Sequence, residues 1–187
     1  MSKGNDPQSA AEVAQQLFYA LWGDRFNWED EHRKDTAKRF VNMIMELTTP
    51  TPFEFTTFDT RSDEMVVVSG IEFTSLCAHH IVPFIGKAHV AYIPNGRLVG
   101  LSKIPRLIQN MDKDLTVQEE LTTNIANALA SHLNPRGVAV VLEAEHLCMS
   151  LRGIKAQDVV TRTSCMLGAF RENDNLARAE FLSLIKG

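Results

Sequence analysis

Two short clusters of cysteine and histidine, far apart in the chain, constrain the fold more than any other feature. They are CAHH at positions 77–80 and EHLC at positions 145–148. Sulfur and imidazole nitrogen are the ligands that zinc selects in proteins. If both clusters bind one ion, the fold must bring two distant strand ends together. Cys77, His80 and Cys148 would then supply three ligands, and a vacant fourth position is typical of a catalytic zinc ion.

The same residues have a simpler interpretation, in which buried cysteines and histidines are structural. A lone cysteine or histidine is usually structural, but here each cluster contains a cysteine and lies at a predicted strand end. The flanking His79 and His146 are either hydrogen-bonding partners of the ligands or acid–base groups beside the metal, and spacing does not separate these roles. Cys165 stands alone in a predicted strand and is expected to be a core thiol.

The composition narrows the class of protein. The chain has 187 residues, of which 44% are hydrophobic and 22% are charged, as is typical of a globular domain. A net charge of −4 gives no reason to expect nucleic-acid or membrane binding. Three cysteines and no recognisable signal peptide argue against a disulfide framework. We therefore expect a cytoplasmic protein with reduced thiols available for a metal.

The hydrophobic pattern changes from helical to strand-like near residue 64. Before this point, apolar spacing predicts helices over residues 9–22, with Ser9 as N-cap, and over 29–47. The buried face of the first helix is expected to carry Val13, Leu17, Phe18 and Leu21. After this point, the pattern predicts strands over 65–76, 86–93, 138–148 and 158–170, and helices over 103–111, 114–133 and 171–185.

This order of elements predicts an α+β fold. The expected architecture is a four-stranded antiparallel sheet with two helices on one face, preceded by N-terminal helices and followed by a C-terminal helix. Residues 1–63 would form an N-terminal helical segment and connection, and residues 64–187 the catalytic domain. A four-stranded sheet has two exposed edges, which edge-to-edge association of subunits would cover.

Basic residues near the predicted metal site suggest where an anion could bind. Lys103 and Arg106 share a face at the start of a predicted helix, where Ser102 is the expected N-cap and backbone N–H groups favour anions. Arg152 closely follows Cys148 in the sequence. These residues either bind a phosphate or form a solvated basic face, and the pattern does not decide between the two.

Gln118 and Glu119 lie at the start of the longest predicted helix. A carboxylate can accept two hydrogen bonds from the amidine-like edge of guanine. However, a carboxylate in the first turn of a helix usually compensates the helix dipole. Taken alone, the pair favours the dipole interpretation.

Taken together, several motifs resemble the GTP cyclohydrolase I family. They are TSLCAHH (74–80), GKAHVAYIP (86–94), GLSKIPR (100–106), VQE (117–119) and EHLCMSLRG (145–153), in the order and spacing of that family. The resemblance implies the tunnelling fold, in which sheets join edge to edge into a pentameric barrel and two barrels stack as a homodecamer. It also implies hydrolysis of GTP to formate and 7,8-dihydroneopterin triphosphate, the entry to folate, biopterin and some deazaguanine pathways.

The resemblance also implies a role for each candidate residue. It implies a Zn²⁺ ion bound by Cys77, His80 and Cys148, with His146 as the principal proton-transfer group and His79 as its partner. Gln118 and Glu119 match the guanine-binding pair of the family. The triphosphate-binding residues are Ser102, which also assists the ribose step, Lys103, Arg106, Arg152 and, from a neighbouring subunit, Arg39. Active sites then lie at subunit interfaces.

The sequence departs from the family pattern in a few places. Ala78 stands where the family usually has Glu, Ala37 replaces a proline, Asn42 replaces a lysine of some members, and Arg162 interrupts a Thr-rich strand. The missing carboxylate at Ala78 motivates an alternative, a related cyclohydrolase that stops at a formamide intermediate or prefers another guanine nucleotide. A nitrile reductase of the same fold would need a nucleophilic cysteine and a nicotinamide site, for which we find no motif. A protein that keeps zinc only for structure would leave both histidines and the basic residues without a purpose.

Overall fold

A computed structural model describes residues 6–172 and 176–186, and the chain divides into two units, Met1–Thr49 and Pro50–Gly187. The smaller unit contains the helices α1 (Pro7–Trp22) and α2 (Thr36–Thr48). No helix of the described segments combines the length and the apolar character that crossing a membrane requires.

The N-terminal helix begins earlier than predicted. Asp6 is its N-cap, because the Asp6 carboxylate accepts a hydrogen bond from the backbone N–H of Gln8 at 3.1 Å. Pro7 occupies the first helical position, where its missing N–H has no cost. The prediction that Ser9 caps this helix is therefore wrong.

The buried face of α1 also differs from the expected one. Phe18 is buried, as predicted, and packs with Ala14, Trp28 and Val41. The other three predicted core positions are exposed, by 61% at Val13, 50% at Leu17 and 59% at Leu21. Periodicity identified an apolar stripe, but the packed side of the helix is narrower than this stripe.

The second helix begins later than predicted. The segment before Thr36 folds into turns, in which the Asp30 carbonyl accepts hydrogen bonds from the N–H groups of Arg33 and Lys34, both at 2.9 Å. These turns occupy part of the range 29–47 that the apolar spacing assigned to a helix.

The larger unit contains the remaining strands and helices. In chain order they are β1 (Thr57–Asp59), β2 (Val66–Cys77), β3 (Pro83–Ile93), β4 (Arg97–Val99), α3 (Lys103–Met111), β5 (Leu115–Thr116), α4 (Gln118–Leu133), β6 (Gly137–His146), α5 (Leu147–Ser150), β7 (Val160–Gly168) and α6 (Leu176–Leu184). The expected C-terminal helix at 171–185 is thus observed from Leu176, and residues 173–175 of that prediction lie outside the described residues.

The main sheet is mixed, with the strand order β5-β2-β3-β6-β7. Its four long strands are antiparallel, as expected, but β5 runs parallel to β2 and pairs Leu115 with Leu76 and Thr116 with Cys77. The prediction of a four-stranded, purely antiparallel sheet is wrong in this respect. A two-residue strand has no period in sequence, and the pattern therefore assigned it to the helix that follows.

The two faces of the sheet are covered differently. Along β6, Val138, Val140 and Leu142 belong to the main core, which also contains residues of α3 and α4. The alternate positions, Ala139 and Val141, belong to a second cluster that includes Phe181 of α6. The fold is therefore α+β, with apolar contacts on both faces of the sheet.

The connection between the N-terminal helices and the sheet belongs to the larger unit. Its strand β1 pairs antiparallel with β4, with Thr57 opposite Val99 and Asp59 opposite Arg97. This pairing explains why the larger unit begins at Pro50, before the boundary expected at residue 64. The sequence pattern showed neither of these three-residue strands.

Candidate active site

The first cysteine–histidine cluster lies in a tight turn after β2. Cys77 is the last residue of this strand and is buried. Its carbonyl accepts hydrogen bonds from the N–H groups of His80 at 3.2 Å and Ile81 at 2.8 Å, and its own N–H donates to the Val82 carbonyl at 3.0 Å. These bonds fold the turn back on itself and hold His80 close to Cys77.

The second cluster follows β6. Cys148 lies in the short helix α5. The prediction that it ends a strand is wrong, because β6 ends at His146. The start of β3 lies between the two clusters, because Pro83 pairs with Leu76 of β2 and Phe84 pairs with His146 of β6. The sheet therefore brings together two segments that are distant in sequence.

Three side chains converge where these segments meet. The ligand atoms of Cys77, His80 and Cys148 all lie within 4.8 Å of one another. In the described segments, 6–172 and 176–186, no other set of three or more Cys, His, Asp and Glu residues is grouped in this way. Two sulfur atoms and one imidazole nitrogen form a donor set that suits zinc.

The electrostatics of the two thiols are compatible with a metal. Burial raises the pKa of the Cys148 thiol, and the neighbouring Cys77 thiol raises it further. A raised pKa favours the protonated form of the Cys148 thiol in the absence of a cation. A divalent cation between the two thiols favours both thiolates, which are the ligand forms of cysteine.

The converging residues line one cavity of about 320 Å³. The predicted site residues in its wall are Cys77, His79, His80, Gln118, Glu119, His146 and Cys148. His79 lies close to the cluster, with its Nδ1 atom 3.6 Å from Cys77 Sγ. The Glu119 side chain is exposed at the first turn of α4 and is free to contact a ligand.

His146 is held on two sides. Its Nε2 atom lies 2.8 Å from Oε1 of Gln118, and its ring stacks on Phe84 with a centroid distance of 4.9 Å and an interplanar angle of 3°. Burial lowers the pKa of His146, and the Glu119 carboxylate partly opposes this shift. The imidazole is therefore neutral at neutral pH and can accept a proton.

Sequence reasoning missed two residues that support this histidine, Phe84 and Thr163. Thr163 Oγ1 lies 3.1 Å from Gln118 Nε2 and anchors the side chain that contacts His146. Phe84 lies just before the predicted strand 86–93 and was missed because β3 begins earlier than predicted, at Pro83. Its nearness to the first cluster is the signal that could have found it. No signal in the sequence distinguishes Thr163 from the other threonines of β7.

Comparison with known proteins identifies the family. A family model described as GTP cyclohydrolase I matches residues 13–186. The chain belongs to the GTP cyclohydrolase I family. The resemblance predicted from the motifs is thereby confirmed.

Individual relatives carry the same name. The chain is 48% identical over 153 residues to GTP cyclohydrolase 1 of Methylococcus capsulatus, covering 82% of each chain. It is 44% identical over 167 residues to GTP cyclohydrolase 1 of Coxiella burnetii, covering 84% of this chain and 90% of the relative. Among solved structures, an archaeosine synthase in the apo form aligns at 16% identity and a TM-score of 0.49, over 58% of this chain and 98% of that one.

The basic residues expected to bind triphosphate lie outside the cavity that contains Cys77 and Cys148. Ser102 is the N-cap residue of α3, as predicted, but its backbone is helical and its side chain makes no capping hydrogen bond. Arg106 lines a separate cavity of about 580 Å³. Lys103 follows Ser102 in α3, and Arg152 is exposed just after α5.

Arg39 belongs to the smaller unit. Its guanidinium lies 3.5 Å from the Asp35 carboxylate and donates a hydrogen bond to the His32 carbonyl at 3.3 Å. The side chain is 63% exposed, so the ion pair leaves much of the guanidinium open to a further partner.

The larger cavity contains a buried acid that sequence reasoning did not single out. Asp112 is 3% exposed, and its Oδ2 atom accepts a hydrogen bond from the Thr74 N–H at 3.2 Å. Its Oδ1 atom is buried and has no hydrogen-bond partner among the described residues. Burial raises the pKa of this carboxyl to about 6.

One departure from the family pattern has a structural explanation. Arg162 and Glu143 are partners across β6 and β7, and Arg162 Nε donates to a Glu143 carboxylate oxygen at 2.9 Å. The other carboxylate oxygen lies 3.4 Å from His89 Nε2. Arg162 is therefore part of a cross-strand ion pair, which is compatible with the sheet.

Proposed function

We propose that this protein hydrolyses the imidazole ring of GTP to give formate and 7,8-dihydroneopterin triphosphate. The convergence of Cys77, His80 and Cys148 beside His146 and Glu119, in one cavity, is the observation that carries the proposal. Membership of the GTP cyclohydrolase I family supports it. The reaction needs a metal, a proton-transfer group and a group that binds the base, and this cavity offers all three.

The metal of the proposal is Zn²⁺, bound by Cys77, His80 and Cys148. Sulfur and imidazole donors at mutual distances within 4.8 Å fit this ion, and the three ligands leave one tetrahedral position for another group. When bound, the ion supplies Lewis-acid activation of water at this position.

The proton transfers are assigned to the two histidines. His146, neutral and partly buried in the cavity wall, exchanges a proton with the ring nitrogen of guanine as the imidazole ring opens. His79 lies beside Cys77 and assists as the second proton carrier. Both can act on a base that occupies the cavity, because both side chains line it.

Substrate binding is assigned to residues at two places. The Glu119 carboxylate accepts hydrogen bonds from the amidine edge of guanine and fixes the base for attack. The triphosphate is bound by Ser102, which also assists the ribose step, and by cations: Lys103, Arg106, Arg152 and, from a neighbouring subunit, Arg39. The net charge of the chain is −4 and does not attract a triphosphate, so a local group of cations is needed to bind it.

The proposal includes assembly of several copies. In one chain, Arg106 and the metal cluster line separate cavities, and the proposal is that a neighbouring copy brings its Arg106 to the metal cavity. The strand order leaves β7 at one edge of the sheet and the two-residue β5 beside β2 at the other. We propose pairing of these edges in the pentameric barrel of the tunnelling fold, with two barrels forming a decamer.

A cytoplasmic location, suggested by three free cysteines, is also part of the proposal.

A second candidate rests on Ala78, which is exposed in the turn between two residues of the site. Without a carboxylate at this position, the reaction could end at the formamide intermediate or accept another guanine nucleotide. The products distinguish the two candidates, because the formamide retains the carbon that the complete reaction releases as formate.

The test is incubation of the zinc-loaded protein with GTP, followed by assay of formate and of pterin fluorescence after oxidation. The proposal expects both products in equal amounts. A formamide-bearing nucleotide without formate would support the second candidate, as would turnover of GDP with GTP unchanged, and a protein that leaves both nucleotides unchanged would refute both candidates. Parallel reactions with GDP and ITP report the nucleotide preference.

A further inference from the structure

Gln118 lies deep in the structure, although it is the first residue of α4. The residue is only 1% exposed. The Nε2 atom lies 3.1 Å from each of three acceptors, the carbonyl oxygens of Leu142 and Thr161 and the hydroxyl of Thr163. The adjacent Glu119, by contrast, is exposed.

The surroundings fix which way the Gln118 amide points. A carbonyl oxygen only accepts hydrogen bonds, whereas an amide nitrogen only donates them. Exchanging Nε2 and Oε1 would place an acceptor against the carbonyl oxygens of Leu142 and Thr161, and two favourable contacts would become repulsive. The amide nitrogen therefore faces the strands, and Oε1 faces His146.

Thr163 and Thr122 complete this support. Thr122 Oγ1 lies 2.6 Å from both the Gln118 carbonyl and Thr163 Oγ1. If Thr122 donates to the carbonyl, Thr163 donates to Thr122, and the Thr163 hydroxyl remains an acceptor for Gln118 Nε2. The hydroxyl contacts are mutually consistent and tie α4 to β7, and the two protons of Gln118 Nε2 are shared among its three acceptors.

The orientation of Gln118 determines the tautomer of His146. Because Oε1 can only accept, the proton in the 2.8 Å contact belongs to His146 Nε2. In a neutral imidazole the other nitrogen, Nδ1, is then the one without a proton. The parallel stack on Phe84 prevents the ring from rotating out of this arrangement.

We propose that Gln118 is a positioning residue for His146 and does not contact the purine base. It fixes the imidazole with Nε2 as the donor to Gln118 and leaves Nδ1 as the nitrogen that exchanges the proton, while Glu119 alone of the pair contacts guanine. This inference rests on the proposed function, in which His146 transfers the proton, and it revises the role that the family resemblance implied for Gln118.

The test separates positioning from base recognition by kinetics. Gln118→Met keeps the length of the side chain and removes the amide. We expect kcat for formate release to fall roughly 10- to 100-fold, because a proton-transfer group displaced from its productive geometry can lose about 10²-fold in rate. The KM for GTP and the Ki of ITP, which lacks the 2-amino group of guanine, should keep their ratio, because no contact to the base is lost.

Glu119→Gln is the comparison variant, and it should change the ratio of KM for GTP to Ki for ITP, because this residue contacts the base. If Gln118→Met instead raises the KM for GTP and brings the ratio close to one, Gln118 binds the base and the inference is wrong. An unchanged kcat in Gln118→Met also overturns it. Failure of the proposed function gives a different result, because the wild-type enzyme itself would then release no formate. Failure of the inference alone appears only in the Gln118→Met variant.

A second pair of variants covers the case in which Gln118→Met does not fold. Thr163→Val removes the hydroxyl that anchors Gln118, whereas Thr163→Ser keeps it. Positioning predicts that kcat falls in Thr163→Val and returns toward the wild-type value in Thr163→Ser, with KM unchanged in both. Equal kcat values in the two variants would contradict the inference.

Discussion

Phe84 and His146 are partners in the ladder between β3 and β6, and their rings stack with a centroid distance of 4.9 Å. Phe84 is fully buried, whereas His146 is partly buried and lines the cavity. The strand register therefore places a rigid aromatic surface directly behind the proposed proton-transfer group. A histidine positioned in this way depends on the sheet as much as on its neighbours in the cavity.

The stack predicts a catalytic effect of a core substitution. Phe84→Leu removes the aromatic surface but keeps an apolar side chain, so we expect a loss of about 1–3 kcal/mol in the free energy of unfolding. Because the imidazole gains freedom to rotate, kcat should also fall, on the order of tenfold to a hundredfold. Steady-state kinetics and chemical denaturation measure the two effects.

Phe73→Leu is the matched control for this substitution. Phe73 belongs to the same core cluster and contacts Phe84 edge-on at 6.0 Å, but it does not line the cavity with His146. We expect a similar loss of stability with kcat nearly unchanged. Equal losses of kcat in both variants would mean that general destabilisation, and not the stack, controls the histidine.

The proposed metal site predicts that metal and activity disappear together. Cys148→Ser should remove bound zinc and reduce formate release more than about a hundredfold, beyond the usual effect of losing an outer partner of a ligand. Cys165→Ser is the control, because this free cysteine lies in β7 and outside the cluster. Metal analysis of the purified variants, alongside the formate assay, measures both. Full turnover by a metal-free Cys148→Ser protein would refute the metal assignment.

Asp112 predicts a pH dependence of stability. Its pKa is about 6 in the folded protein against an ordinary value of 3.8, so the folded state binds the proton more tightly than the unfolded state. Stability from this group is fully present below pH 3.8 and is lost as the pH rises through about 6. The shift corresponds to roughly 3 kcal/mol, at 1.36 kcal/mol for each pKa unit.

Asp112→Asn should therefore gain stability over the wild type as the pH increases from 4 to 7, because the amide stays neutral. Denaturation of both proteins at each pH measures the difference, and other titrating groups and metal loss affect both proteins alike. Asp114→Asn, at an exposed position on the same loop, provides the control. A difference between Asp112→Asn and wild type that does not change with pH would contradict the prediction.

The metal cluster was accessible from sequence for a physical reason. Soft ligands at short spacing next to β-branched runs are uncommon, and strand ends are places where side chains from different segments meet. The same patterns predicted β2 nearly to the residue and placed α3 at the observed Lys103–Met111. Long elements with a strong period are the ones that a sequence specifies best.

Other features depended on tertiary contacts that periodicity does not describe. Gln118 occupies the first turn of a helix, where a polar residue is normally solvated, and only the packing of α4 on β6 and β7 buries it. The apolar stripe with Val13 and Leu17 was visible in sequence, but what an apolar side chain packs against was not. Cys148 was expected in a strand because the β-rich run continued to it without a turn signal.

The proposed assembly predicts that two impaired variants recover activity at low GTP when they are co-expressed. Arg106→Ala should raise the KM for GTP roughly tenfold to a hundredfold, the effect of losing a charged hydrogen bond, and His146→Ala should abolish turnover. If Arg106 serves the metal cavity of a neighbouring copy, some sites of a co-expressed mixture combine an intact Arg106 with an intact His146. Activity at low GTP should then exceed the average of the separate variants.

A mixture of His146→Ala with Cys148→Ser is the control for this experiment. Both residues line the same cavity of one chain, so this mixture should stay inactive. If the first mixture behaves like the control, Arg106 does not act across the subunit interface, and the shared site is wrong.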